Sequence, residues 1–541
     1  MRDSNTATAN GGFWQPLQYP AFAILWTATL ISNIGSWMHD VGAGWMMTTL
    51  APSPAWVALV QTATTLPVFL FALPAGALAD LLDRRRLIII TSTLMSVVAG
   101  LLALMAWMQL VTPLWLLLFS FMIGTGTAFA APAFQAIVPA LVPREALAPA
   151  IALNGVGINI SRAIGPAVGG LLIAVMGIAW PFMLNALSFL FVVVAVWWWK
   201  PAPRIPEPLP AERFRSALVS GLRYARRSRP LRVTLLRAAA FFLFASAYWA
   251  LLPLVARQFL QGGPQLYGLL MGSVGAGAVS GALALPWLRQ RFGANRMVAG
   301  GTVVTCGILL LFAVSRSLSL NVISCALAGM AWITVLSSLN VAAQTALPDW
   351  VRARGLSVFL MVFFGAMSLG SWVWGQLAGI SSIPAALMTA AAGGLVAMAL
   401  TWRWQLDEEA VMDLSPSAHW PQPLLAQAVD DDHGPVMVTV EYRVAAEDKA
   451  AFIHALSMLG EIRRRDGAFA WGVFSDSADA ECYLEYFMVN SWLEHLRQHE
   501  RISVSDRAVQ QAIWRYHQGE RPMVRHWLAA SATTGVQHEL A

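Results

Sequence analysis

The sequence predicts an all-α polytopic membrane protein, with twelve transmembrane helices in two six-helix halves, followed by a small C-terminal α+β domain. Three observations predict it. Charged residues are 12% and hydrophobic residues 57% of the 541 positions, against roughly 25% charge in soluble domains, so most of the chain cannot face water. Twelve apolar windows follow one another, each of about 20 residues and long enough to cross a ~30 Å hydrocarbon core. After residue 405 the composition turns polar, and the hydrophobic spacing becomes that of short strands and helices.

The windows lie at 21–49, 55–79, 87–110, 114–138, 147–175, 180–199, 233–259, 266–288, 296–315, 319–345, 355–380 and 383–404, separated by turns rich in Pro, Gly, Ser or Arg. Helices are the form expected, because lipid offers no partner for backbone groups and the runs are too long for barrel strands. Met1 to Gly12 is polar, and the first apolar run is longer than a signal-peptide core, so it is expected to stay as a helix. Connections after even-numbered windows hold Arg84, Arg85, Arg86, Arg144, Arg289, Arg291, Arg296, Arg352 and Arg354, with ten basic residues from Lys200 to Arg237. Those after odd-numbered windows hold Arg257 and Arg316. Cytoplasmic loops carry the excess of Lys and Arg, which places both chain ends and the long middle loop of a multi-pass protein in the cytoplasm.

The expected organisation is an N-terminal half at 1–199, a cytoplasmic middle loop at 200–232, a C-terminal half at 233–405, a linker at 406–434, a soluble domain at 435–530 and a tail at 531–541. The middle loop becomes amphipathic and basic from Phe214 to Arg227, a pattern suited to an anionic lipid surface. Gln135-Ala-Ile-Val-Pro139 is echoed by Gln344-Thr-Ala-Leu-Pro348, and Gly76-Ala-Leu-Ala by Gly281-Ala-Leu-Ala. Repeated halves around a midplane site are transporter architecture.

Several function classes are excluded. The net charge of +6 is spread over short connections, which leaves no basic face for nucleic acid. The three cysteines have no paired or metal-like spacing. No Gly-x-x-x-x-Gly-Lys-Ser/Thr motif is present, which argues against an ATP-driven pump. No cofactor and no metal are expected.

The first helix carries Asn33, Trp37, His39 and Asp40 within an apolar span. A carboxylate among apolar helices is a natural proton-binding group, because desolvation disfavours its charged form, and Asp40 is the candidate for proton coupling. The fifth helix carries Asn154, Asn159 and Arg162. An arginine near mid-membrane costs at least ~2.5 kcal/mol unless it faces water or a partner, so Arg162 is expected to line a cavity and attract anionic or oxygen-rich substrate groups; a structural ion pair is the alternative. Gly165, Pro166, Gly169 and Gly170 follow, spaced for close helix packing and with a Gly-Pro step that weakens a helix where a bundle must bend. Gln61, Asn185, Trp249, Asn340, Gln344 and Gln376 are further polar or aromatic members of apolar helices. With Asn33 and Trp37 they outline a polar cavity able to stack on an aromatic small molecule.

In the soluble region, Val436 to Val444 alternates as a strand and Ala446 to Arg465 has helical spacing. Phe469 to Phe474 and Cys482 to Val489 read as strands, Trp492 to His517 as one or two helices, and Met523 to Leu528 as a closing strand. The order β-α-β-β-α-β is the ferredoxin-like pattern. His495 and His499 are one turn apart, which suits a metal, but Leu496 stands where the zinc-protease motif has Glu; the sequence reading is a solvated polar face. Trp471, Tyr483, Trp492 and Trp514 are expected in the core. A membrane-anchored enzyme or a ligand sensor, with the activity in this domain, is the competing function class.

The stretch Gly76-Ala-Leu-Ala-Asp80-Leu-Leu-Asp83-Arg84-Arg85-Arg86 joins the second and third windows. It resembles the loop of the major facilitator superfamily at this place, in which Gly, an Asp four residues on and a basic run form a conformational lock; Leu81 and Asp83 depart from the usual pattern. The Gly-Pro segment resembles the fifth helix of that superfamily's antiporters, with Ser161 in place of one Gly. Together with Arg463-Arg-Arg-Asp-Gly467 and Ser491-Trp-Leu-Glu-His-Leu-Arg-Gln-His-Glu500, the layout resembles the transmembrane secretion effector group over nearly the whole chain. The resemblance implies a proton-coupled exporter of the bacterial inner membrane, moving a siderophore-like or drug-like hydrophobic metabolite by alternating access. The soluble domain is similar to the small dimeric barrels of the antibiotic-biosynthesis monooxygenase type, which implies pairing of two chains through it.

Overall fold

The computed structural model describes residues 13–200, 214–406, 413–417, 420 and 429–530. Most of the linker expected at 406–434, the first part of the middle loop and the tail at 531–541 lie outside the described residues. Two compact units are present. The first comprises residues 1–214, 233–343 and 356–406, and the second residues 215–232, 344–355 and 407–541.

The first unit is helical. Its first half holds α1 (Pro20–Leu50), α2 (Pro54–Leu81), α3 (Arg84–Trp107), α4 (Pro113–Ile137), α5 (Arg144–Met176) and α6 (Ala179–Trp198). Helix starts follow from local chemistry. Proline opens α1, α2 and α4, where its missing N–H costs nothing. The Asp83 carboxylate caps α3, accepting from the Arg86 N–H at 2.8 Å. Gly177, at φ 101°, ends α5 in a conformation that other residues avoid. Large apolar side chains such as Val175, Val194 and Leu114 stand exposed, as a lipid-facing surface requires.

After α7 (Phe214–Arg227) the second half holds α8 (Arg229–Leu254), α9 (Pro264–Val314), α10 (Leu318–Thr345), α11 (Arg352–Ile380) and α12 (Ile383–Thr401). Among the described residues, eleven helices are long and apolar enough to span a membrane. The sequence expects twelve, and the difference lies in α9. At 51 residues it would extend about 75 Å at 1.5 Å per residue, more than twice a ~30 Å core. Gly293, at φ 69° and ψ 162°, is non-helical inside it.

The second unit contains an antiparallel four-stranded sheet of order β2-β3-β1-β4. In chain order it runs β1 (Val436–Arg443), α13 (Lys449–Asp466), β2 (Ala470–Ser475), β3 (Cys482–Val489), α14 (Trp492–Arg501), α15 (Val504–Trp514) and β4 (Met523–Leu528). One sheet face meets α13 and α15 through Tyr442, Phe452, Leu456, Leu459, Tyr483 and Ile513. Glu485 is buried in this core but satisfied, accepting from Tyr442 Oη at 3.0 Å, Trp471 Nε1 at 3.1 Å and Arg463 Nε at 3.3 Å.

Candidate functional site

The first unit brings an aromatic cluster and an arginine together where its two halves meet. Trp37 of α1 lies 6.2 Å from Trp249 of α8, between ring centroids. Trp249 then contacts Tyr248 at 5.3 Å and Trp332 of α10 at 5.3 Å. Trp332 in turn contacts Phe242 at 5.0 Å, and Phe242 contacts Phe363 of α11 at 4.4 Å. Arg162, near the middle of α5, places its guanidinium 5.5 Å from the centre of the Trp37 ring, in cation–π range.

Four polar atoms of this cluster are unsatisfied. Arg162 Nε and Nη1, Tyr248 Oη and Trp249 Nε1 are buried, and none completes a hydrogen bond. Buried polar groups are normally paired, and an unpaired guanidinium presents a fork of donors matched to a carboxylate or another planar oxyanion. The arrangement can therefore hold an anionic group on Arg162 and stack an aromatic ring against Trp37 or Trp249.

Asp40 sits one turn beyond Trp37 on α1, and Gly44 one turn further. The faces on either side of it meet the second half: Trp37 touches Trp249, and a Cβ on Gly44 would lie 3.0 Å from Tyr267 Oη. Asp40 is exposed within the helical unit and lies in electrostatic reach of Tyr267. His39 points elsewhere, buried against Phe182 of α6 at 4.9 Å. Arg162 forms no ion pair with Asp40; its electrostatic neighbour is Tyr248.

At the Leu50 end of α1 the halves are tied. Arg257 Nη1 donates to Thr48 Oγ1 at 2.9 Å and Thr49 Oγ1 at 3.1 Å, and its guanidinium lies 5.7 Å from the Trp45 ring centre. A π-helical turn, Val255–Phe259, carries it, and such turns recur at functional sites. Along α5 and α9 the backbones are in contact: a Cβ on Gly170 would fall 2.9 Å from Gly268 Cα, and one on Gly275 would fall 2.4 Å from Ala163 Cα. Gly165 and Gly169 make the same kind of approach to Trp37 and Met38 of α1. Pro166 lies within α5, which continues as a helix through it from Arg144 to Met176.

The loop between α2 and α3 is held by its arginines. Arg84 Nη1 donates to the Ala136 carbonyl at 2.9 Å, at the end of α4. Arg85 Nε donates to the Val196 carbonyl at 3.0 Å and Nη2 to that of Trp197, at the end of α6. Cations at helix C-termini satisfy carbonyls that have no intrahelical partner. Gly76 meets α11, where an added Cβ would be 3.2 Å from Ser357 Oγ. The Asp80 side chain lies outside the described ones.

The remaining polar residues divide. Asn33 is on the Trp37 face of α1 and is half-buried, as are Asn154, Gln61, Asn340 and Gln376. Asn159 directs its amide to its own helix, donating to the Gly155 carbonyl at 2.9 Å. Gln344 departs from the expectation of a cavity residue. It is exposed and belongs to the second unit, with the segment 344–355, because α10 ends at the next residue. Tyr248, Trp332, Phe242 and Phe363 were not singled out by sequence, and Arg257 only as a basic residue of a connection; the orphan hydroxyl of Tyr248 and the ring contacts exist only in three dimensions.

In the second unit the basic face of α7 meets protein, which corrects the expectation of a lipid surface for these side chains. Arg223 lies 3.6 Å from Glu494 and donates to the Gly467 carbonyl at 3.3 Å, while Arg227 pairs with Glu461 at 2.8 Å. Tyr224 is buried and donates to the Ala346 carbonyl at 3.1 Å. Glu494 also accepts from Arg501 Nη1 at 2.6 Å, and Arg501 lies over Trp350. The solvated reading of His495 is overturned as well, since α14 turns Trp492, His495 and Gln498 inward. Burial, then the neighbouring His499 and His526, lowers the His495 imidazole to about 3, which keeps it neutral.

Residues 11–534 match the family described as transmembrane secretion effector. The chain belongs to this family of major facilitator transporters. It is a multi-pass membrane transporter by family, and not an enzyme. The staphyloferrin A transporter of Staphylococcus aureus is 24% identical over 64% of this chain and 86% of its own length. The enterobactin exporter EntS of Salmonella choleraesuis is 27% identical over 71% and 91%, and the multidrug efflux pump Tap of Mycobacterium tuberculosis is 24% identical over 75% and 97%. A crystal structure of a mutant of the nucleoside transporter NupG superposes with a TM-score of 0.59 over 72% of this chain and 99% of that one, at 15% identity, and so shares the fold.

Proposed function

We propose that this transporter exports a small hydrophobic metabolite, siderophore-like or drug-like and bearing an anionic group beside an aromatic ring, by proton antiport with alternating access. The observation that carries the reading is the pair of buried, unsatisfied nitrogens of Arg162, Nε and Nη1, beside Trp37, Tyr248 and Trp249. The names of the relatives support the same class of cargo, two being transporters of siderophores and one a drug pump.

Counting α9 as two spans divided at Gly293 yields twelve, and an even number keeps both chain ends on one side. The arginine-rich connections make that side the cytoplasm of an inner-membrane protein. On this topology the Leu50 end of α1 faces outward, so Arg257 with Thr48 and Thr49 closes the outer gate. Asp40 takes up the proton between that gate and Trp37. The C-terminal unit is then a cytoplasmic, ferredoxin-like domain.

The test is metabolite profiling of medium from a deletion strain, the strain complemented with the native chain, and one complemented with Arg162→Gln. An anionic aromatic compound should appear outside only with the native chain. Identical media from all three strains would count against export.

A further inference from the structure

Three imidazoles converge in the second unit. We infer that His495, His499 and His526 form a binding site for a divalent transition metal of the zinc type. His495 and His499 stand one turn apart on α14, with their Nε2 atoms 3.2 Å apart. Two imidazole nitrogens bound at ~2.0–2.1 Å to one tetrahedral zinc are separated by about 3.3–3.4 Å, so this pair already has ligand spacing.

His526 comes from β4, at the position paired with Val438 of β1, and one ligand nitrogen of each ring lies within 4.8 Å of the others. A hydrogen bond between two imidazoles would account for the first pair. It does not account for a third ring brought to the same point by a different element. His495 is 1% exposed, and its Nδ1 is buried without a hydrogen-bond partner.

The rings are fixed by their neighbours. Trp492 packs on His495 at 5.3 Å and on His526 at 6.3 Å, and Trp420 meets His499 edge-on at 4.8 Å. Such packing locks ligand rotamers before the ion arrives. The nearby cation Arg463 is paired with Glu485 at 3.3 Å, which offsets its charge. His499 is only half-buried, so an ion can enter from solvent. Imidazole ligands select zinc, cobalt, nickel or copper, whereas magnesium and calcium require oxygen donors.

The test uses the full chain, purified in detergent with a non-histidine affinity tag and stripped with a chelator. Cobalt titration should give the visible absorption of a low-symmetry site at one equivalent per chain, abolished by zinc and untouched by magnesium. His499→Asn and His526→Asn should each weaken cobalt binding at least about tenfold. These two variants carry the test because His495 is buried and its replacement could misfold; their melting curves without metal should match the native chain. No saturable cobalt signal from folded protein, or an affinity unchanged in both variants, would overturn the site.

Discussion

Replacing Arg162 with Gln separates a binding role from a structural one, because the two move stability in opposite directions. In the structure Nε and Nη1 are buried without acceptors, so the free protein carries the desolvation of a charge that these two nitrogens do not offset with a hydrogen bond. The Arg162→Gln substitution would remove that cost and leave the melting temperature unchanged or higher, as often happens when a strained functional residue is neutralised. A bound oxyanion would lose a charge-assisted pair, at about 1.5–3 kcal/mol per hydrogen bond. Allowing for one bond restored by the amide, the net loss is about 1.5–3 kcal/mol, or roughly 10- to 150-fold in affinity. Quenching of Trp37, Trp249 and Trp332 fluorescence by the exported compound reads the affinity, and a thermal melt in detergent reads the stability. A lower melting temperature with unchanged affinity would refute the reasoning and make Arg162 a structural residue.

Asp40→Asn should preserve substrate binding and downhill exchange but abolish uphill export driven by a pH gradient; intact uphill export would remove Asp40 from the mechanism. Arg257→Ala deletes the two hydrogen bonds to Thr48 and Thr49, about 1–3 kcal/mol in one state only. A cysteine placed at Thr49 should then react several-fold faster with a membrane-impermeant thiol reagent added from outside, and an unchanged rate would show that no latch exists there. Glu494→Ala removes the carboxylate paired with the buried Arg501 at 2.6 Å and leaves Arg501 its bond to the Asp466 carbonyl, a loss of up to about 3–5 kcal/mol for a broken buried pair. The C-terminal unit should become the first part of the chain cut in limited proteolysis, and native-like resistance would contradict a stabilising role for that pair.

Much of the architecture is legible in the sequence because lipid imposes a simple rule, that spans are long, apolar and helical. The strands and helices of the C-terminal unit are legible for a similar reason, since period-two and period-3.6 patterns alternate cleanly there. Gly293 is harder. A single non-helical residue inside a continuous run of helical hydrogen bonding leaves the eighth and ninth windows in one element of 51 residues. The basic face of α7 was readable as basic but not as to its partner, because lipid headgroups and the carboxylates of Glu461 and Glu494 attract arginine alike.

At the candidate site, Trp37, Asp40 and Arg162 stood out because polar and charged groups are costly in hydrocarbon. Trp332 did not stand out among the 24 tryptophans, since tryptophan also gathers in the interfacial belt of membrane proteins and only packing distinguishes the ones inside. Tyr248 and the third imidazole, His526, lie far in sequence from the residues they meet. Their significance depends on distances that no local pattern encodes.

The most direct test of the account is accumulation of the exported compound in inside-out proteoliposomes with an acid interior. The native chain should concentrate it above the external level, Arg162→Gln should fail to do so, and a protonophore should release the gradient. Equal accumulation by both proteins, or accumulation that persists with the protonophore, would contradict proton-driven export through the Arg162 site.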